Sequence, residues 1–105
     1  MITSEKHEIS IRDAVSEYLG FRYSAKQFFN YVNSLPESHI IIDFKDVLFM
    51  SRSFAHEYLK RKRDSEKRIT EINVPENVVK MFSVVERSRN KSRKVKLEEI
   101  RAVAI

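Results

Sequence analysis

The stretch Ile40-Ile41-Ile42-Asp43-Phe44-Lys45-Asp46-Val47-Leu48-Phe49-Met50-Ser51-Arg52-Ser53-Phe54-Ala55 decides how this chain folds. Three β-branched residues in succession, closed by Asp43, read as an interior parallel strand covered on both faces, since such a strand has no solvent side to alternate with. Lys45-Asp46 supplies a turn, and Val47 to Met50 carry the apolar character past it. Ser51 and Ser53 then offer N-caps for a helix that turns Ala55, Tyr58 and Leu59 inward. Lys60 to Arg63 fall near the C-terminus of that helix, where cations face the carbonyl end of the macrodipole.

Working outward from this segment, His7 to Ile11 alternate as a half-buried strand does. Asp13 to Leu19 predict a short helix with Gly20 as its C-terminal stop. A second helix starts from an N-cap at Ser24. Its apolar positions Ala25, Phe28, Phe29, Val32 and Leu35 form one helical stripe, and Pro36 ends it. On the other side, Ile69 to Val74 predict a third strand. Pro75 takes the first position of a helix whose stripe is Val78, Met81, Phe82 and Val85. The order strand, helix, strand, helix, strand, helix implies a small α/β domain: a mostly parallel sheet with alternating helices and right-handed crossovers. The composition shifts at Arg87, so a domain over residues 1–86 is expected to carry a basic C-terminal extension over 87–105. Within that extension Val95, Leu97, Ile100, Val103 and Ile105 fit a strand or a helix equally well, and they allow a homodimer built through it.

The 105 residues suffice for one domain. With 42% hydrophobic and 33% charged residues, the chain is expected to fold as a soluble globule. No Cys is present, which excludes disulfides, thiolate catalysis and Cys-ligated metal. A single Gly excludes a glycine-rich phosphate cradle. No apolar run approaches the roughly 20 residues that a membrane helix needs. No signal-like stretch opens the chain, so a cytoplasmic protein without membrane attachment is expected. The net charge of +5 is local. Residues 1–59 carry −2, Lys60 to Arg68 carry +4, residues 69–85 carry −1 and residues 86–105 carry +4.

The central segment resembles the signature of STAS domains, in which an aliphatic strand ends in Asp and a short turn leads to serines opening a helix. It is more similar to a STAS-like family of unknown function, whose pattern Asp-Phe-x-x-Val-x-Phe then Ser-x-Ser-Phe-Ala matches Asp43-Phe44, Val47, Phe49, Ser51 and Ser53-Phe54-Ala55. Leu19-Gly20-Phe21-Arg22 and Asn73 resemble that family too, so the likeness spans about residues 7–85. It implies a regulatory module, expected to act through protein–protein contact; the scattered histidines and the ordinary Ser53–His56 spacing add the expectation of a non-enzymatic protein without a cofactor. The implied partner is a histidine-kinase-type ATPase or a transcription regulator. In the anti-sigma-factor antagonists, a more distant branch, a serine here is phosphorylated by a partner kinase and partner binding is switched off. Ser53 matches that acceptor, while Ser51 stands where that branch has Asp and Phe54 where it has Gly. The docking face implied is Ser51, Arg52, Ser53, His56 and Lys60.

Other chemistry finds little purchase. A helix N-terminus favours a phosphate through free N–H groups and its dipole, yet serines there also serve simply as caps. Asp43 either marks a ligand crevice at a strand end or fastens the following turn, and the turn is the commoner use. Asp43 and Asp46 lack a third ligand at metal spacing, so no metal site is expected. His7, His39 and His56 lie on separate elements, and Ser53 with His56 is an ordinary pair of adjacent helical turns. The alternative function is nucleic-acid binding by the basic segment through Arg87, Arg89, Lys91, Arg93, Lys94 and Lys96. A helix-turn-helix over residues 11–35, with Arg22, Lys26 and Gln27 on a recognition helix, leaves the third strand and helix unexplained.

Overall fold

The computed structural model describes residues 6–88. Strand β3 (His39–Asp43) is its axis. It pairs in parallel with β1 (Lys6–Ser10) on one side and with β5 (Arg68–Ile72) on the other, giving the order β1-β3-β5. A second, two-stranded parallel ribbon joins β2 (Tyr18–Leu19) to β4 (Phe49–Met50). Helices α1 (Ile11–Ala14), α2 (Arg22–Ser34) and α3 (Arg52–Asp64) fill the connections, and residues 76–88 form a fourth helix, α4. The protein is thus α/β, with parallel strands alternating with helices. Among the described residues, no helix is long and apolar enough to cross a membrane.

Side chains alternate along β3. Ile40 and Ile42 are fully buried, as is Phe44 just beyond the strand, whereas His39, Ile41 and Asp43 are half-buried on the opposite face. The buried row meets all the long helices: Phe44 lies 5.8 Å from the ring of Tyr58 on α3 and 6.1 Å from that of Phe82 on α4, and α2 packs along α3. The opposite row borders Glu8 and Thr70, and His39 Nε2 lies 2.8 Å from the Thr70 hydroxyl. The expectation of a strand covered on both faces is therefore corrected. A β-branched run reports that a residue suits a pleated surface, not how many sides of that surface are covered.

Tyr58 is the hub of the core. Its fully buried ring packs edge-on against Phe29 at 5.1 Å and stacks with Phe82 at 5.3 Å. Its hydroxyl donates to Glu71 Oε2 at 2.7 Å, and Lys62 Nζ lies 3.0 Å from the same oxygen. Burial first, and then the Glu71 carboxylate, push the phenol well above the usual tyrosine range.

Several expected boundaries move: the third strand, expected over Ile69–Val74, runs Arg68–Ile72, and Pro75 precedes α4 instead of taking its first position. The helix predicted over Asp13–Leu19 is a single turn over Ile11–Ala14, capped by Ser10, whose hydroxyl accepts the Asp13 amide at 3.2 Å. Val15 leaves helical geometry, and Leu19 is drawn into pairing with Met50, where both are buried. Burial of these two outweighs a weak local helix preference. Helix α2 is capped three residues ahead of the expected Ser24, at Phe21, with no side-chain cap. Its stripe of Ala25, Phe28, Phe29 and Val32 is buried as expected. Helix α4 follows Pro75, whose carbonyl accepts the Val78 and Val79 amides at 3.0 Å. It buries Val78 and Val85 and packs Met81 and Phe82 against the core. Residues 86 and 87 both lie within α4, and residues 89–105 lie outside the described part.

Candidate functional site

The start of α3 is stitched to the end of β2. The Ser51 amide donates to the Leu19 carbonyl at 2.9 Å, and the Ser51 hydroxyl donates to the Gly20 carbonyl at 2.8 Å. That hydroxyl also accepts the Phe54 amide at 3.1 Å, which makes Ser51 the N-cap. A hydroxyl has one proton, and Ser51 gives its proton to Gly20. The 3.2 Å contact between the two serine hydroxyls therefore runs from Ser53 as donor to Ser51 as acceptor. Of the two serines expected to cap this helix, Ser51 does so, and Ser53 sits inside the first turn.

The other expected site residues separate by role. Arg52 is exposed, and its guanidinium donates to the Ser88 hydroxyl at 2.7 Å, which ties the start of α3 to α4. His56 and Lys60 are exposed at the following turns of the same helix. Ser51, Arg52, Ser53, His56 and Lys60 thus run as one strip from the corner down α3. Arg87 is within α4, whereas Arg89, Lys91, Arg93, Lys94 and Lys96 lie outside the described residues. Asp43 fastens a turn: its Oδ1 accepts the Lys45 amide at 2.9 Å and the Asn73 side-chain amide at 3.0 Å. Asp46 and Asn73 adopt positive φ of 65° and 54°, a conformation short polar side chains tolerate. Among the described residues, no cluster of His, Asp and Glu could hold a metal ion.

Sequence reasoning missed the apolar part of this corner. Tyr18 and Phe49 are register partners in the β2–β4 ribbon and stand side by side on its outer face, 58% and 47% exposed. Leu48, whose amide donates to the Glu17 carbonyl, is 56% exposed. Phe21, next to the Gly20 carbonyl that Ser51 holds, is 76% exposed. Their ribbon neighbours Leu19 and Met50 are buried, so the ribbon is anchored from below and presents its aromatics outward. Exposed aromatics on a buried anchor, with the exposed Arg22 beside Phe21 in the chain and the exposed Arg52 beside Ser51, have the make-up of an interaction surface: an apolar, aromatic centre with charged neighbours.

Compared with known proteins, the chain matches no protein-family model, no curated protein and no solved structure.

Proposed function

We propose that the protein is a non-enzymatic regulatory interaction module of the STAS-like type, which docks a protein partner on the corner where β2, β4 and the start of α3 meet. The observation that carries this reading is the exposed group Tyr18, Leu48, Phe49 and Phe21 beside the Ser51 cap. Exposed aromatics held on a buried anchor supply large contact area at little cost in side-chain entropy. With Arg52 and Arg22 as charged neighbours, the corner suits a partner that offers apolar side chains flanked by carboxylates. A histidine-kinase-type ATPase or a transcription regulator is the partner class the resemblance implies. Ser53 is the residue at which such a complex would be gated. A phosphate there leaves the Phe54 amide free to bond the Ser51 cap, meets the positive end of α3 and adds a charge of about −2 beside the aromatics.

The test is quantitative capture from the native host with three baits: wild type, Tyr18→Ser with Phe49→Ser, and Glu8→Lys on the opposite face. A partner held by the first and third baits and lost by the second supports the reading. Equal recovery with all three places docking elsewhere. With that partner in hand, Ser53→Asp is expected to weaken the complex while leaving the melting temperature nearly unchanged.

A further inference from the structure

Folding assembles a basic surface that no single segment carries. Helix α2 contains Arg22 and Lys26 and no acidic residue at all. Helix α3 carries Arg52 and Lys60 to Arg63 against only Glu57 and Asp64. Glu57 is buried and bonded to Arg61 at 2.8 Å, and Lys62 is turned inward to Glu71. Arg22, Lys26, Lys60 and Arg63 remain exposed, with Asp64 alone at the far end.

Two contacts fix how these groups sit. At one end, the Ser51 hydroxyl that opens α3 donates to the carbonyl of Gly20, just ahead of α2, at 2.8 Å. At the other, the Ser65 hydroxyl donates to Asn33 Oδ1 at 2.7 Å. The two helices therefore lie side by side in the same direction. Lys26, one turn after Arg22 and two turns before Asn33, shares the α2 edge that faces α3. Lys60 shares the α3 edge that carries Glu57. Phe21 and Tyr23, 76% and 63% exposed, flank Arg22, and the amides of Gln27 and Asn30 are exposed on the same helix.

We propose that the outer surface of the α2–α3 pair binds single-stranded nucleic acid, with phosphates on Arg22, Lys26, Lys60 and Arg63 and bases stacked on Phe21 and Tyr23. Cations of one sign beside exposed aromatic rings are the combination such strands require: the cations follow the backbone and any base stacks on the rings. A helix the length of α2 covers about 20 Å, long enough to follow several nucleotides of an extended strand. This surface adjoins the β2–β4 corner and shares Phe21, Arg22 and Lys60 with it, so Lys26 and Tyr23, which lie outside the corner, separate this reading from the docking one.

The experiment is a fluorescence-anisotropy titration of the full chain with a labelled oligothymidylate at two salt concentrations. The expected result is binding that weakens steeply with salt. Lys26→Glu with Lys60→Glu, both at exposed positions, should weaken it at least about tenfold and flatten the salt slope. Tyr23→Ala should weaken it several-fold without changing that slope. Arg89→Gln with Lys91→Gln and Arg93→Gln should cost less than the helix pair, and Tyr18→Ser with Phe49→Ser should leave binding unchanged. The proposal is overturned by no binding at low salt, by wild-type affinity in the Lys26/Lys60 variant, or by Tyr23→Ala having no effect. It is equally overturned if polyglutamate displaces the oligonucleotide at matched charge, since the surface would then be a site for acidic protein.

Discussion

Ser51 concentrates three hydrogen bonds on one half-buried hydroxyl, and its neighbour Ser53 contributes only a donor to it. Truncating Ser51 removes a helix cap and leaves the Gly20 carbonyl short of a donor, so Ser51→Ala should cost about 1–2 kcal/mol. Ser53→Ala should cost under about 0.5 kcal/mol, because no backbone group depends on it. Urea titrations of the two variants check the difference, and equal losses would contradict the assignment of the cap. Glu57 gives a pH signature at the same scale. The Arg61 hydrogen bond outweighs burial and holds its carboxyl below the ordinary 4.5. A depressed folded value means that the stabilisation is complete above 4.5 and fades as the pH falls through the lower, folded value. Glu57→Gln should therefore destabilise by about 1 kcal/mol at neutral pH, with the gap to wild type closing in acid. A gap that persists unchanged into strong acid would contradict the pairing.

Among the elements, β3 was legible in the sequence as a strand and not as a one-sided one. Ile40, Ile41 and Ile42 look alike on paper, yet the outer two are fully buried and the middle one faces the half-exposed side. Ile42→Ala should cost about 2–5 kcal/mol, as large-to-small changes in a closed core do. Ile41→Ala should cost about 1 kcal/mol, as expected of a partly exposed position. The same logic revises what a charge does: Ile42→Asp should abolish folding, whereas Ile41→Asp should lower the melting temperature and leave a cooperative transition. Thermal unfolding of the pair decides between one covered face and two. The long stripes on α2 and α4 could be read in advance because four or more apolar positions repeat at helical spacing. The β2–β4 ribbon could not, since two-residue strands carry no period, and its Tyr18-Leu19 lies in a stretch whose local preference is helical. The resulting misreading of Asp13–Leu19 also concealed the corner, because the partnership of Tyr18 and Phe49 exists only in the ribbon's register.

At the scale of the molecule, the two surfaces proposed as functional share the end of the sheet where α2 and α3 begin, and folding puts them there from segments far apart in the chain. The polar half of the corner was visible as Ser51, Arg52 and Ser53 opening a helix. Its aromatic half, and the pairing of the cations of α2 with those of α3, depend on contacts between segments some 30 residues apart, such as Asn33 with Ser65 and Gly20 with Ser51. The central claim is that a protein partner sits on the β2–β4 corner. Its most direct test is amide hydrogen exchange on the full chain, alone and saturated with the partner captured from the host. A partner seated on the corner adds protection over residues 17–22 and 48–53 and leaves the amides of β5 unchanged. Added protection confined to β5 or to α4, with those two segments exchanging as in the free protein, would contradict it.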